Sequence, residues 1–307
     1  MDLCVMIEGQ EGVSWPQWRA IAAACEGHGI PTLFRSDHYL PLGGRLEREV
    51  HDAWATVCGL AAITERLRLG TLVSPATFRH PSVFAKMAVT ADHISGGRID
   101  AGLGAGWNAA EHAAYGFPFG TTADRIAMVA EQLEIVHGLW TGDDFSFAGE
   151  HYRMTGVDAR PKPVQRPHPP LIVGGSGKPR TVALAARWAD EYNTVFAGPG
   201  ECRERRAAVT AAWERAGRDP ASVVFSLMTG CVIGPDAAEV ARRTRRLRDE
   251  HAMTPSPSWI TGPPDTAIAQ LRALRDAGVD RVMLQLLLHD ELEQIELIGT
   301  ELAPAVA

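Results

Sequence analysis

The chain has 307 residues, 46% of them hydrophobic, and a formal net charge of −7 at pH 7, enough to bury the core of one α/β barrel or of two ordinary domains. That acidic balance excludes a sequence-independent grip on nucleic acid or an anionic membrane, which needs clustered cations, and leaves a small molecule as the expected partner. Five cysteines, odd in number and never in a Cys-x-x-Cys pair, signal neither a disulfide framework nor a thiolate metal site; with no apolar run near the ~20 residues of a membrane span, a cytoplasmic protein without a bound metal is expected.

In chain order, short apolar runs alternate with longer stretches whose apolar residues recur every three or four positions, as in parallel strands and the helices that cover them. A strand over 3–7 precedes a helix over 15–28, which Gly29 ends. The strand over 32–36 runs into Ser36-Asp37-His38, ahead of a helix over 53–64. An imidazole at that strand end can hydrogen-bond a ring or move a proton, and Asp37 can fix its tautomer or accept from a ligand; a structural histidine is the competing reading. The strand over 67–73 closes on Leu72-Val73-Ser74, before Pro75 and a helix over 81–94. A simple strand-to-helix turn explains it, and a bulge that presses backbone against a flat ring is the functional alternative.

The strand over 98–103 is followed by Gly104, Gly106 and Trp107-Asn108. With Gly102 the spacing is not that of the dinucleotide fingerprint, but it permits a close backbone approach to a ligand. Asn108 can offer its amide to a hydroxyl, a phosphate or a ring edge, or merely form a turn. Glu111 and His112 are candidates for shaping this loop, 107–120, or for protonating a substrate. A helix over 122–140 leads to 141–169, whose aromatics, glycines and prolines read as a β-hairpin and a Pro-rich return; Asp143-Asp144 there reads as a solvated turn.

The strand over 170–174 carries the sharpest local signal, Gly174-Gly175-Ser176-Gly177-Lys178, at the start of a helix over 178–188. Unpaired amides at a helix N-terminus and a hydroxyl make a phosphate cradle, to which Lys178 or Arg180 can add charge; a tight turn competes, and no P-loop motif is present. Strands over 191–196, 223–228 and 281–286 and helices over 200–216, 237–249, 266–277 and after His289 complete the alternation, with a further excursion at 253–264. Eight strands with helices of this length fit one (β/α)8 TIM barrel over 1–307, with loop insertions at its C-terminal mouth, better than a doubly wound open sheet. Neither a zinc motif nor a Gly-x-Ser-x-Gly elbow occurs.

The segments FRSDHY, RLGTLVSPATFRHPSVFAKMAVTADHISGGRIDAGLGAGWNAAEHAAYG, DRIAMVAEQLEIVHGLW and KPVQRPHPPLIVGGSGKPRTVALAARWADEYN resemble the bacterial luciferase-like superfamily, and within it a branch of F420-dependent oxidoreductases common in actinobacteria. The resemblance runs from Trp15 to about Asn193 and is architectural beyond. It implies a TIM barrel, homodimeric, that binds coenzyme F420 or, alternatively, FMN, with the ring system at the C-terminal mouth. It further implies that Asp37 and His38 approach the ring, that Leu72-Val73 carries a non-proline cis peptide under one ring face with Ser74 beside it, that Asn108 contacts the cofactor, and that Gly174, Gly175, Ser176 and Gly177 hold its phosphate. One departure matters: the sugar-phosphate dehydrogenase branch has an acid just upstream of the Asn, where this chain has Ala105 and Gly106, which disfavours sugar-phosphate oxidation. The implied activity is hydride transfer between reduced F420 and an unsaturated or carbonyl-like substrate, with His38 polarising or protonating it. An FMN-dependent monooxygenase and a non-catalytic flavin-binding barrel are the alternatives.

Overall fold

A computed structural model describes residues 1–42 and 45–307. Eight parallel strands form the barrel: β1 (Asp2–Ile7), β2 (Thr32–Arg35), β3 (Arg68–Thr71), β4 (Ile99–Gly104), β5 (Leu171–Gly174), β6 (Glu191–Val195), β7 (Val224–Ile233) and β8 (Arg281–Leu286). Each pairs with the next, and β8 closes the ring on β1 with Asp2 opposite Arg281 and Ile7 opposite Leu286. The fold is therefore the expected (β/α)8 TIM barrel.

The strands alternate between two cores. Outward residues such as Val5, Leu33, Leu69, Leu103, Val173, Tyr192, Leu227 and Leu284 pack beneath the helices, while Cys4, Met6, Phe34, Leu72, Ile172, Met228 and Met283 fill the barrel axis. Both faces of most strands are buried, so they read as largely apolar runs rather than as alternations, although β6 carries Glu191, Asn193 and Thr194 and leaves Val195 exposed. Burying each such large apolar side chain contributes about 1.5–3 kcal/mol.

The helices that cover the sheet start where the sequence supplies caps. α1 (Trp15–Gly27) opens on a capping box between Ser14 and Gln17, and in α2 (Ala53–Ile63) the Asp52 side chain accepts from the Ala55 amide. α3 (Pro81–Ser95) ends on Gly96 in the left-handed region. The expected excursion at 107–120 contains a helix that periodicity does not reveal, α4 (Ala109–Tyr115), because seven residues span barely two turns. α5 (Thr122–Thr141), α6 (Pro179–Trp188), α7 (Pro199–Arg215), α8 (Ala237–His251) and α9 (Pro264–Arg275) follow.

Two further differences extend the expected pattern. β7 continues five residues past Met228, where Gly230 makes room for the Trp259 indole: a Cβ there would lie 2.1 Å from the ring. The excursion at 253–264 adds a short strand, Ile260–Gly262, to that extension. The segment 141–169 is the expected antiparallel hairpin, Phe145–Ala148 with Arg153–Val157, and Glu131 of α5 anchors its turn by accepting from the amides of Glu150, His151 and Tyr152. No described helix is long and apolar enough to cross a membrane.

Candidate active site at the barrel mouth

The C-terminal ends of the strands carry the polar groups. Beyond β2 the chain continues as Ser36, Asp37 and His38, and the two expected functional side chains go to different partners. Asp37, 1% exposed, accepts from Arg79 at 2.5 and 3.2 Å and from the Ser74 hydroxyl at 2.6 Å. Arg79 also bridges to Asp52 at 2.9 Å and donates to the Tyr39 hydroxyl at 3.1 Å. Asp37 is thus spent on tying the ends of β2 and β3 together.

The tautomer of His38 is set from elsewhere. Its Nδ1 lies 2.8 Å from Oε2 of Glu111, with the His38 side chain 12% exposed and the Glu111 side chain fully buried. The other oxygen, Oε1, accepts from the Tyr39 amide and, at 3.1 Å, from the Leu40 amide. Burial disfavours the imidazolium, but the hydrogen bond and charge of Glu111, with Glu8 and Asp37 behind it, outweigh that and hold His38 above its ordinary value. Burial likewise opposes ionisation of Glu111, and the His38 and backbone hydrogen bonds overcome it and hold the carboxyl below the usual range. The exposed Trp107 indole meets the His38 ring edge-on at 5.6 Å. Sequence reasoning singled out Glu111 but not its pairing with His38, 73 positions away; Arg79 it missed.

The peptide bond between Leu72 and Val73 is cis. Leu72 joins the axial cluster, and Val73 rests on glycines of the two neighbouring strands. A Cβ on Gly104 would lie 2.6 Å from Val73 Cγ2, one on Gly102 2.8 Å from Cγ1, and one on Gly174 3.3 Å from Cγ2. The close approach that Gly102 and Gly104 permit in this structure is that of the Val73 side chain. Ser74 is buried, donating to Asp37 and accepting from the Trp54 indole at 3.0 Å.

After β4, Asn108 caps α4: its Oδ1 accepts from the Glu111 amide at 3.4 Å, and its amide nitrogen has no partner among the described residues. Both nitrogens of His112 are engaged, Nδ1 with the Asn108 carbonyl and Nε2 with the Thr77 hydroxyl, each at 2.7 Å. His112 therefore shapes the loop, and of the pair only Glu111 reaches His38.

Beyond β5, Gly174-Gly175-Ser176-Gly177 wraps onto the start of α6. The Gly175 amide donates to the Asn193 carbonyl and the Gly177 amide to the Tyr192 hydroxyl, both at 2.9 Å. A Cβ on Gly175 would lie 2.6 Å from that hydroxyl and 2.8 Å from Thr181 Cγ2, and Gly177 has φ of +75°, so both positions need glycine. Lys178, the cap residue of α6, offers no side-chain hydrogen bond to the first turn, where Pro179 has no N–H and the Arg180 and Thr181 amides have no acceptor within the helix. Ser176, Lys178 and Arg180 are exposed, and neither cation has an ion-pair partner among the described residues. An uncapped helix start with two such cations suits an anion.

The acid side of the mouth is Glu8, placed on the axis two positions after Met6. It accepts from the side-chain amides of Gln10, at 2.7 Å, and Gln285, a set that strand alternation could have revealed. Glu11 pairs with Arg48, which also reaches His251 Nδ1 at 3.2 Å. His289 beside them is pushed down to about 3 by burial, so it is neutral. Among the described residues no group of three or more His, Cys, Asp or Glu side chains is placed to hold a metal. A cleft on the barrel flank, lined by Lys86, Trp140 and Arg160 among others, shares no lining residue with the mouth.

The sequence profile of the luciferase-like monooxygenase family matches residues 4–301. The F420-dependent glucose-6-phosphate dehydrogenase of Nakamurella multipartita is 28% identical over 314 residues, covering 92% of this chain and 90% of its own. The FMNH(2)-dependent dimethylsulfone monooxygenase of Pseudomonas putida is 35% identical over 144 residues, 47% of this chain and 39% of its own. The structure of the coenzyme F420 dependent tetrahydromethanopterin reductase from Methanopyrus kandleri superposes over the whole of both chains with a TM-score of 0.83 at 19% identity, a likeness of fold.

Proposed function

We propose that this chain, which belongs to the luciferase-like monooxygenase family, is an oxidoreductase that binds coenzyme F420 at the barrel mouth and transfers hydride between it and a small organic substrate. The observation that carries the reading is the pairing at one barrel end of a histidine held ready to give a proton with an uncapped helix start suited to a phosphate. The residues fit the group: in the loop shaped by Gly174, Gly175 and Gly177, Ser176 and the Arg180 and Thr181 amides of α6 hold the phosphate, Asn108 offers its amide, and Leu72 and Val73 present an apolar surface to the ring system. Asp37 and Ser74 act behind that surface, keeping β2 and β3 in register. F420, when bound, supplies the hydride chemistry; the protein supplies orientation, exclusion of water and the proton.

Two observations favour F420 over FMN. The F420-dependent relative aligns along 92% of the chain, the FMNH(2)-dependent one along 47%, and Lys178 and Arg180 leave positive charge at the cradle for a longer acidic tail. His38 donates its proton to the substrate atom that gains negative charge as the carbon accepts hydride. Ala105 and Gly106 place no acid upstream of Asn108, so the substrate is an unsaturated or carbonyl-like acceptor rather than a sugar phosphate. The higher local identity to the dimethylsulfone enzyme supports the second reading, a monooxygenase that uses reduced FMN.

Titrating the apoprotein with F420 and with FMN, followed by cofactor fluorescence and retention on gel filtration, separates the readings. Preferential F420 binding with turnover of enones or imines is the expected result. Preferential FMN binding moves the monooxygenase first, and binding without turnover of any acceptor leaves a carrier.

A further inference from the structure

We infer that Glu111 is the positioning residue that makes His38 a proton donor, fixing the imidazole with Nδ1 protonated and leaving Nε2 to carry the exchangeable proton. The inference deepens the oxidoreductase reading and rests on it for the use of that proton.

A carboxylate accepts and cannot donate unless it is protonated, so the 2.8 Å contact with Oε2 places a hydrogen on Nδ1. Glu111 is kept ionised from three directions. It accepts from His38 and from the Tyr39 and Leu40 amides, and it lies in the first turn of α4, where the helix dipole favours negative charge. An ionised carboxylate buried against a ring that is itself nearly buried stabilises the imidazolium strongly, because little water screens the pair.

The other groups facing His38 do not compete for its proton. Glu8, at the end of β1, already accepts from Gln10 and Gln285 and reaches His38 only through space. Asp37, next in the chain, is neutralised by Arg79. From the α4 side Trp107 brings an uncharged ring edge. Burial opposes the charge and Glu111 overcomes it, in agreement with the raised His38 titration. The same carboxylate joins α4 to the segment after β2, so His38 holds its proton only while α4 is docked.

A merely structural tie between these segments would leave the protonation of His38 unchanged, and that is what the test reads. The apoprotein labelled with 15N and 13C histidine is titrated by NMR, with His38 assigned through His38→Asn. The expected result is a ring that carries Nδ1–H and titrates above the ordinary imidazole value. In Glu111→Gln, whose amide oxygen still serves the Tyr39 and Leu40 amides, the midpoint falls by about one pH unit or more, and the alkaline limb of the kcat/KM profile moves with it. An Nε2–H tautomer in the wild type, or an unchanged midpoint in folded Glu111→Gln, overturns the inference. If that variant does not fold, the wild-type tautomer and midpoint decide alone. Because the titration needs no cofactor, failure of F420 and FMN to bind would remove the oxidoreductase reading while leaving the Glu111–His38 coupling to stand or fall on its own spectra.

Discussion

At the N-terminal end of the barrel Arg68 and Arg281 face Asp100 and Glu191; at the C-terminal end His38, Glu111, Asp37 and Arg79 make a second set of buried charges. The floor charges face one another, although Oε1 of Glu191 and Nε of Arg281 have no hydrogen-bond partner. Arg281 reaches Glu191 at 2.9 Å and Asp100 at 3.3 Å, and Arg68 completes Asp100 at 3.0 Å. Burial still pushes the Glu191 carboxyl up to about 7 against the pull of Arg281. At the mouth the pairs are equally tight, yet among the described residues Nε2 of His38, the amide nitrogen of Asn108, the Arg180 and Thr181 amides of α6 and the cations Lys178 and Arg180 have no protein partner. The same chemistry holds the fold together at one end and leaves donors for a ligand at the other, as expected of a barrel whose loops after the strands build the site.

The comparison breaks first at the floor. Arg281→Ala leaves Glu191 and Asp100 buried without their shared cation and should cost about 3–5 kcal/mol in urea unfolding; a loss no larger than that of an exposed arginine would show the floor charges to be idle. At the mouth, His38→Ala should leave F420 affinity nearly unchanged while turnover falls about 10²–10⁴-fold, read by steady-state kinetics. Full turnover in folded His38→Ala would erase the distinction between the two ends.

A sharper form uses pH. The His38 contribution to stability, arising from a raised folded value, is complete below the ordinary 6.5 and is lost as pH rises through the higher folded value. The Glu111 contribution, arising from a lowered value, is complete above the ordinary 4.5 and is lost as pH falls through the lower one. The stability gap between wild type and Glu111→Gln should therefore be widest between those two pH values, at about 1.5–3 kcal/mol, and narrow on either side in chemical denaturation. The smallest effect belongs to the exposed cations: Lys178→Ala with Arg180→Ala should weaken F420 binding by roughly 0.2–1 kcal/mol per charge and flatten its salt dependence in fluorescence titration.

The barrel was legible in the sequence because parallel strands buried on both faces leave short, largely apolar runs at regular spacing, and each of the eight lies where its run does. The short pieces were not: α4 is too short for a helical period to register, and the Ile260–Gly262 strand depends on Trp259 packing against Gly230. Within the site, local signals such as the glycine cradle and the His38 strand end could be read along the chain. Partnerships could not. Nothing near Asp37 announces Arg79, 42 positions on, and the Gly-x-Gly run takes its meaning from Val73, a neighbour across strands. Glu8 and Gln285 were within reach of a strand-alternation argument, since each follows an axial methionine by two residues.

The central claim, that the mouth holds a phosphate-bearing cofactor through the Gly174–Gly177 cradle, is tested most directly by fluorescence titration of wild type and Gly175→Val with F420 side by side. A valine there meets the Tyr192 hydroxyl and Thr181 and distorts the cradle. Saturable binding to the wild type with none to the folded variant is the predicted result; equal binding to both, or none to either, would contradict it.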